Sequence, residues 1–148
     1  MEVEALDTNA GTHQIKQDFS LDHVAVSVSD LDRSIKFYGE NFGFKCDRIM
    51  DRPQGAGRVA LLKKPGFAIE MFGYAGPSPL PDFHKSLETD LRIIGVKHFA
   101  IKVNDILDAA DSLKNNGVEV VSPVAVGVRG LRRFLVKDPD GLLIEITE

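Results

Sequence analysis

From residue 21 onward the chain alternates. Val24, Val26 and Val28 fall on one side of an extended backbone, and His23, Ala25 and Ser27 on the other. A period of two predicts a strand. The period then changes: Leu31, Ile35, Tyr38 and Phe42 recur at helical spacing, Ser29-x-x-Asp32 offers a capping box, and Gly43 stops the helix. Apolar stretches at 44–50, 58–63 and 67–72 predict three more strands, with Pro65-Gly66 as the turn between the last two.

The same order returns 75 positions later. His23 aligns with His98, Ala25 with Ala100, Asp30 with Asp105, Arg58 with Arg133, Gly66 with Gly141 and Glu70 with Glu145. Phe99, Ile101 and Val103 alternate as the first valines do, and Ile106, Ala109, Ala110 and Leu113 form a helical stripe that Gly117 ends. Strands are predicted at 118–122, 131–137 and 142–147, with Asp140-Gly141 as a turn. The fold class is therefore α+β, two tandem βαβββ modules forming a curved mixed-sheet cup. Residues 1–18 lack apolar periodicity and read as a flexible tail. A single domain follows over 19–148: module one at 20–73, a linker at 74–95 and module two at 96–148. The linker holds Pro77, Pro79 and Pro81 and then a short helix predicted over 82–91, either as a flap beside a site or as a plain connector.

Composition narrows the classes. With 148 residues, 43% hydrophobic and 27% charged, the chain suits one globular domain. A net charge of −4 speaks against nucleic acid, and no apolar run is long enough to span a bilayer as a helix. Cys46 is the single cysteine, so no intrachain disulfide is expected. The N-terminus has neither the basic nor the apolar segment of a secretory signal, and a cytoplasmic location is expected.

Strand parity places His23 and Glu70 on one face of module one, and His98 and Glu145 on the corresponding face of module two, each among small residues. His23 to Glu70 and His98 to Glu145 both span 47 positions. Alone, a strand histidine is usually hydrogen-bonded or half-exposed, and a strand glutamate usually solvated. Two imidazoles and two carboxylates at duplicated positions are the donors of a five- or six-coordinate divalent ion such as nickel, cobalt, manganese, iron or zinc, with one or two positions left for water or substrate.

Three stretches carry a family resemblance: Leu21-Asp22-His23-Val24-Ala25-Val26 with Asp30 to Tyr38, then Ile69-Glu70-Met71, then Lys137-Asp138-Pro139-Asp140-Gly141 leading to Ile144-Glu145. They resemble the vicinal oxygen chelate superfamily, which includes glyoxalase I, methylmalonyl-CoA epimerase, extradiol dioxygenases and bleomycin-resistance proteins. The resemblance implies His23, Glu70, His98 and Glu145 as ligands of one divalent metal. It also implies a small-molecule substrate, a homodimer, and a lyase or isomerase of the glyoxalase I-like type. The reaction would remove a proton next to a metal-bound carbonyl through an enediolate or enolate, with Glu145 or Glu70 as base. Glyoxalase I carries an arginine four residues after its first ligand and an asparagine four after its second; here Ser27 and Tyr74 stand there.

Further candidates for substrate contact are Arg129 in the loop before the seventh strand, Lys102 and Phe72 on the ligand-bearing strand faces, and Tyr74. A solvated Arg129, a surface Lys102 and a core-packed Phe72 are the ordinary alternatives. The repeat match of Arg58 and Arg133 points to a structural role at strand starts. Three other functions compete: a non-catalytic small-molecule binding or resistance protein, an acyl-CoA epimerase, and a ring-cleaving dioxygenase needing two histidines and one carboxylate.

Overall fold

In the computed structural model of the chain, residues 17–148 are described; the predicted tail lies almost wholly outside them. Each module begins with a short strand and an amphipathic helix. Strand β1 (Val24–Ser27) leads into helix α1 (Leu31–Phe42), whose Asp30 side chain accepts a hydrogen bond from the Arg33 amide at 3.0 Å. Such a cap is worth about 1 kcal/mol. Asp30 is thus the cap; Ser29, predicted as the start of a capping box, bonds to Asp140. Gly43 closes the helix with φ 71°, a left-handed turn that glycine adopts without strain. Strands β2 (Lys45–Asp51), β3 (Gly57–Lys64) and β4 (Phe67–Tyr74) complete the sheet in the order β1-β4-β3-β2.

A linker carrying a 3₁₀ turn at Asp82–His84 and the four-residue helix α2 (Leu87–Asp90) crosses to module two. These two pieces replace the continuous helix expected over 82–91. Strand β5 (Phe99–Lys102), helix α3 (Ile106–Asn115), β6 (Ala125–Val126), β7 (Arg132–Lys137) and β8 (Leu143–Thr147) follow, in sheet order β5-β8-β7-β6. The strand predicted at 118–122 does not form. Val120 makes one bridge to Val136, and the edge strand sits later, at Ala125–Val126. Pro123 lies between and cannot donate to a ladder.

The helix-bearing faces of both sheets share one core. Tyr38 of α1 is fully buried and stacks on Phe99 of β5 at 6.4 Å, and Phe67 of β4 meets the same ring at 5.9 Å. Val28 is buried, and Val24 and Val26 pack against this core. The opposite faces, which carry the histidines and glutamates, are left outside it.

The final hairpins differ by one residue. In module one a two-residue turn, Pro65-Gly66, joins Lys64 to its partner Phe67. In module two Asp138 and Leu142 are bonded through their backbones at 3.0 Å, so the turn holds three residues, with Gly141 at φ 89°. A slip of one residue turns every side chain to the other face. Leu61 stands opposite Glu70, and Leu135 opposite Glu145; Val59 stands opposite Phe72, and Arg133 opposite Thr147. Arg58 and Arg133 are therefore not equivalent, which corrects their reading as a structural pair. The counterpart of Arg58 is Arg132. Arg58 donates to Asp32 at 2.7 Å and Arg132 to Glu148 at 2.6 Å, both outside the ligand-bearing faces.

Candidate metal centre

Parallel pairing of β1 with β4 sets Ala25 beside Glu70, and pairing of β5 with β8 sets Ala100 beside Glu145. Each histidine precedes its alanine by two residues and shares its face. His23 Nε2 lies 3.5 Å from Glu70 Oε2, and His98 Nε2 lies 3.5 Å from Glu145 Oε2. The repeat seen in the sequence is thus a repeat in space, down to the same atoms.

That separation suits shared coordination. It is longer than a charge-assisted hydrogen bond, which closes to about 2.7–2.9 Å. Two donors each roughly 2.1 Å from one ion stand about 3.0–3.5 Å from each other. The Nδ1–H of His23 donates to Asp22 Oδ2 at 2.6 Å. This contact selects the tautomer that keeps Nε2 free as a donor atom, an arrangement common at metal-binding histidines. The hydrogen bond to the Asp22 carboxylate also raises the His23 pKa above the ordinary imidazole value. His98 Nδ1 is buried and has no partner among the described residues.

The four side chains do not meet in one chain. Among the described residues no three His, Cys, Asp or Glu side chains come together as a metal site. The expected four-ligand cup therefore does not form within one chain: the two histidine–glutamate pairs lie apart, on the faces opposite the shared core. The halves also differ in cover. His23 and Glu70 keep 40% and 35% of their side-chain surface exposed, and their neighbours Ala25 and Ser27 are exposed too. His98 and Glu145 keep 29% and 18% and line a cavity of about 240 Å³. Leu87 and Leu91 of the linker, Leu131 and Leu135, and Arg129 and Arg133 line it as well.

Of the predicted substrate contacts, Arg129 lines this cavity. Lys102 shares the face of Glu145 but is exposed and lies outside the cavity lining. Phe72, half-buried, shares the face of Glu70 and stacks on Tyr74 at 6.4 Å; the Tyr74 hydroxyl accepts a hydrogen bond from Arg52 at 3.2 Å. Sequence reasoning missed Asp22, Leu87, Leu91 and Arg133. The unequal hairpin turns, Pro-Gly against Asp-Pro-Asp-Gly, were the available signal for the last.

This architecture and the duplicated pairs define a class. Residues 20–146 match the model of the Glyoxalase/Bleomycin resistance protein/Dioxygenase superfamily, and the chain belongs to that family. It is 32% identical over 131 residues to "Lactoylglutathione lyase GLX1" of Arabidopsis thaliana, a match covering 85% of this chain and 43% of that protein. The chain thus spans less than half the length of the curated relatives it matches first. It is 29% identical over 133 residues to the "Ethylmalonyl-CoA/methylmalonyl-CoA epimerase" of Cereibacter sphaeroides, covering 86% of this chain and 96% of that one. The crystal structure of a glyoxalase family protein from Enterococcus faecalis superposes with a TM-score of 0.73 at 28% identity, covering 87% and 97% of the two chains. No helix among the described residues is long and apolar enough to cross a membrane.

Proposed function

We propose that the chain is a metal-dependent lyase or isomerase of the glyoxalase I-like type, removing a proton next to a carbonyl. The observation that carries this reading is the equal 3.5 Å approach of imidazole to carboxylate in both modules. Lyase and epimerase names among the relatives agree with it. His23, Glu70, His98 and Glu145 would hold one divalent ion, nickel, cobalt, manganese, iron or zinc. When bound, the ion supplies Lewis-acid stabilisation of the negative charge that develops on the carbonyl oxygen.

The chain's own residues do the rest. Glu145 faces the cavity and is the less exposed of the two glutamates, so its carboxylate is the base we favour over Glu70. The leucines that line the cavity would hold an apolar part of the substrate beside that base. Because the halves stay apart in one chain, we further propose a homodimer in which module one of one protomer faces module two of its partner, giving two sites per dimer. A binding protein without catalysis would have no need of the duplicated donors, and a ring-cleaving oxygenase would be crowded by the fourth ligand.

Elemental analysis of the purified protein tests the reading. About one divalent ion per chain is expected, and His98→Ala and Glu145→Gln should each lower occupancy sharply. Full occupancy in both variants would remove the metal from the proposal. Deuterium incorporation at the α-carbon of 2-oxo and acyl thioester probes then tests the chemistry.

A further inference from the structure

The one-residue difference between the hairpins brings to the module-two face an arginine that module one lacks. We infer that Arg133 is the specificity residue of this site and binds a carboxylate of the substrate held within two or three bonds of the carbon that loses its proton. The inference rests on the functional reading above and adds to it the chemical class of the substrate.

Three observations carry it. Arg133 lines the cavity that His98 and Glu145 line, and its Nε lies 4.0 Å from Glu145 Oε2. That is a loose ion pair beyond hydrogen-bond distance, close enough for one small substrate to touch both groups. Among the described residues Arg133 donates no side-chain hydrogen bond, whereas Arg58 and Arg132 are both bonded to carboxylates. A half-buried guanidinium that donates no hydrogen bond is matched to a planar carboxylate. The third is room made for this side chain. A Cβ at position 127 would stand 3.1 Å from Arg133 Cγ and 3.3 Å from its Nε, so glycine there lets Arg133 lie along the β6–β7 connection. Arg129 at the same cavity adds a second positive charge and attracts the anion toward Arg133.

Calorimetry on the metal-stripped full-length protein provides the test, with malonate as the probe and malonamide as its neutral counterpart. Removing the metal separates this test from the metal reading and prevents chelation by malonate. Wild type should prefer malonate over malonamide by at least about tenfold and bind inorganic phosphate less tightly than malonate. Arg133→Gln should weaken malonate binding about ten- to a hundredfold, and Arg133→Lys less, since it keeps the charge and loses the fork. Gly127→Ala should also weaken it, by displacing Arg133 without removing a charge. Nickel uptake, measured alongside, should not fall in Arg133→Gln. A malonate preference that survives in Arg133→Gln would overturn the assignment, as would tighter binding of phosphate. Reduced nickel uptake with the preference intact would show that Arg133 only positions Glu145, which also overturns it. Should wild type take up no nickel while the malonate results hold, the metal reading fails and the anion site stands.

Discussion

Module one and module two share strand order, parallel closing pair and a histidine–glutamate pair at one distance, yet they present that pair differently. In module one the pair lies on an open face, and an aspartate supports the histidine ring. In module two the pair lines a cavity that linker residues also line, its histidine lacks a support among the described residues, and two arginines line the same cavity. A duplicated module thus keeps the donors and divides the remaining duties. One copy holds its histidine–glutamate pair on an accessible surface, the histidine supported by Asp22; the other holds its pair beside a cavity. Neither gathers three metal-capable side chains among the described residues. In the homodimer proposed above, this division would make the interface between protomers part of the chemistry.

The largest expected effect breaks the comparison outright. Glu70→Gln in one chain and Glu145→Gln in another should each be nearly metal-free as homodimers. Co-expressed with different affinity tags and isolated as a heterodimer, the two should recover about half the wild-type metal content. One site then takes both intact modules and the other takes both damaged ones. No recovery in a verified heterodimer would show that the modules pair within a chain.

A smaller effect concerns the open face of module one. Ser27 is exposed there, and the Tyr74 hydroxyl is engaged by Arg52. Neither supplies a charged contact to a glutathione carboxylate. Losing such a contact costs about 1.5–3 kcal/mol, roughly ten- to more than a hundredfold in kcat/KM. Turnover of the methylglyoxal–glutathione adduct should be weak in wild type and rise about tenfold in Ser27→Arg, each with metal restored. Robust wild-type turnover would mean that residues of module two hold the glutathione.

Asp22 sharpens the contrast between the two histidines. Asp22→Asn removes the carboxylate that orients His23, and should lower metal affinity by about tenfold in a chelator competition. Module two has no counterpart to remove, since Lys97 stands at the matching position and its ammonium is bound to Asp90 at 3.2 Å. An unchanged affinity would assign Asp22 to the surface only.

Much of this was legible in the chain, for identifiable reasons. The valine alternation and the helical stripes are strong periods, and they located β1, α1, β5 and α3 closely. Matched spacing placed the two pairs, because parallel pairing of first and last strand fixes parity without reference to loops. What sequence hid was register and assembly. An unbroken offset of 75 conceals a one-residue difference in turn length, so it pairs Arg133 with Arg58 although Arg133 lines the cavity. The stretch 118–122 has the composition of a strand but only one bridge to β7, so edge context overrode propensity. The separation of the two halves depends on which faces the modules pack together, and that is decided by rings such as Tyr38 and Phe99, distant in sequence.

The smallest effect lies in the turns that caused the register difference. The module-one turn has no carboxylate. In module two, Asp140 reaches across to module one, accepting from the Ser29 amide at 2.9 Å, from the Ser29 hydroxyl, and from Arg33 Nη2 at 2.7 Å. Burial alone would raise the Asp140 pKa, but Ser29 and Arg33 together hold it below the ordinary aspartate value. Asp138, two residues earlier, is shifted the other way: burial raises its pKa, although it accepts from the amides of Asp140 and Leu142 and from the Tyr38 hydroxyl. The signs follow. A depressed carboxylate contributes stability that is present above its unfolded pKa and disappears as pH falls through the folded one. Asp140→Ala should therefore lower stability by about 1.5–3 kcal/mol at pH 7, the typical worth of hydrogen bonds to a charged group, and the difference from wild type should shrink on acidification below about pH 4. Asp138→Asn should cost less, because Oδ1 can keep both amides and no charge has to be buried, and its stability relative to wild type should fall as acid protonates the native Asp138. Urea unfolding at several pH values reads both. If the Asp140→Ala deficit is the same at pH 7 and in acid, the contact between modules does not depend on the charge of that carboxylate.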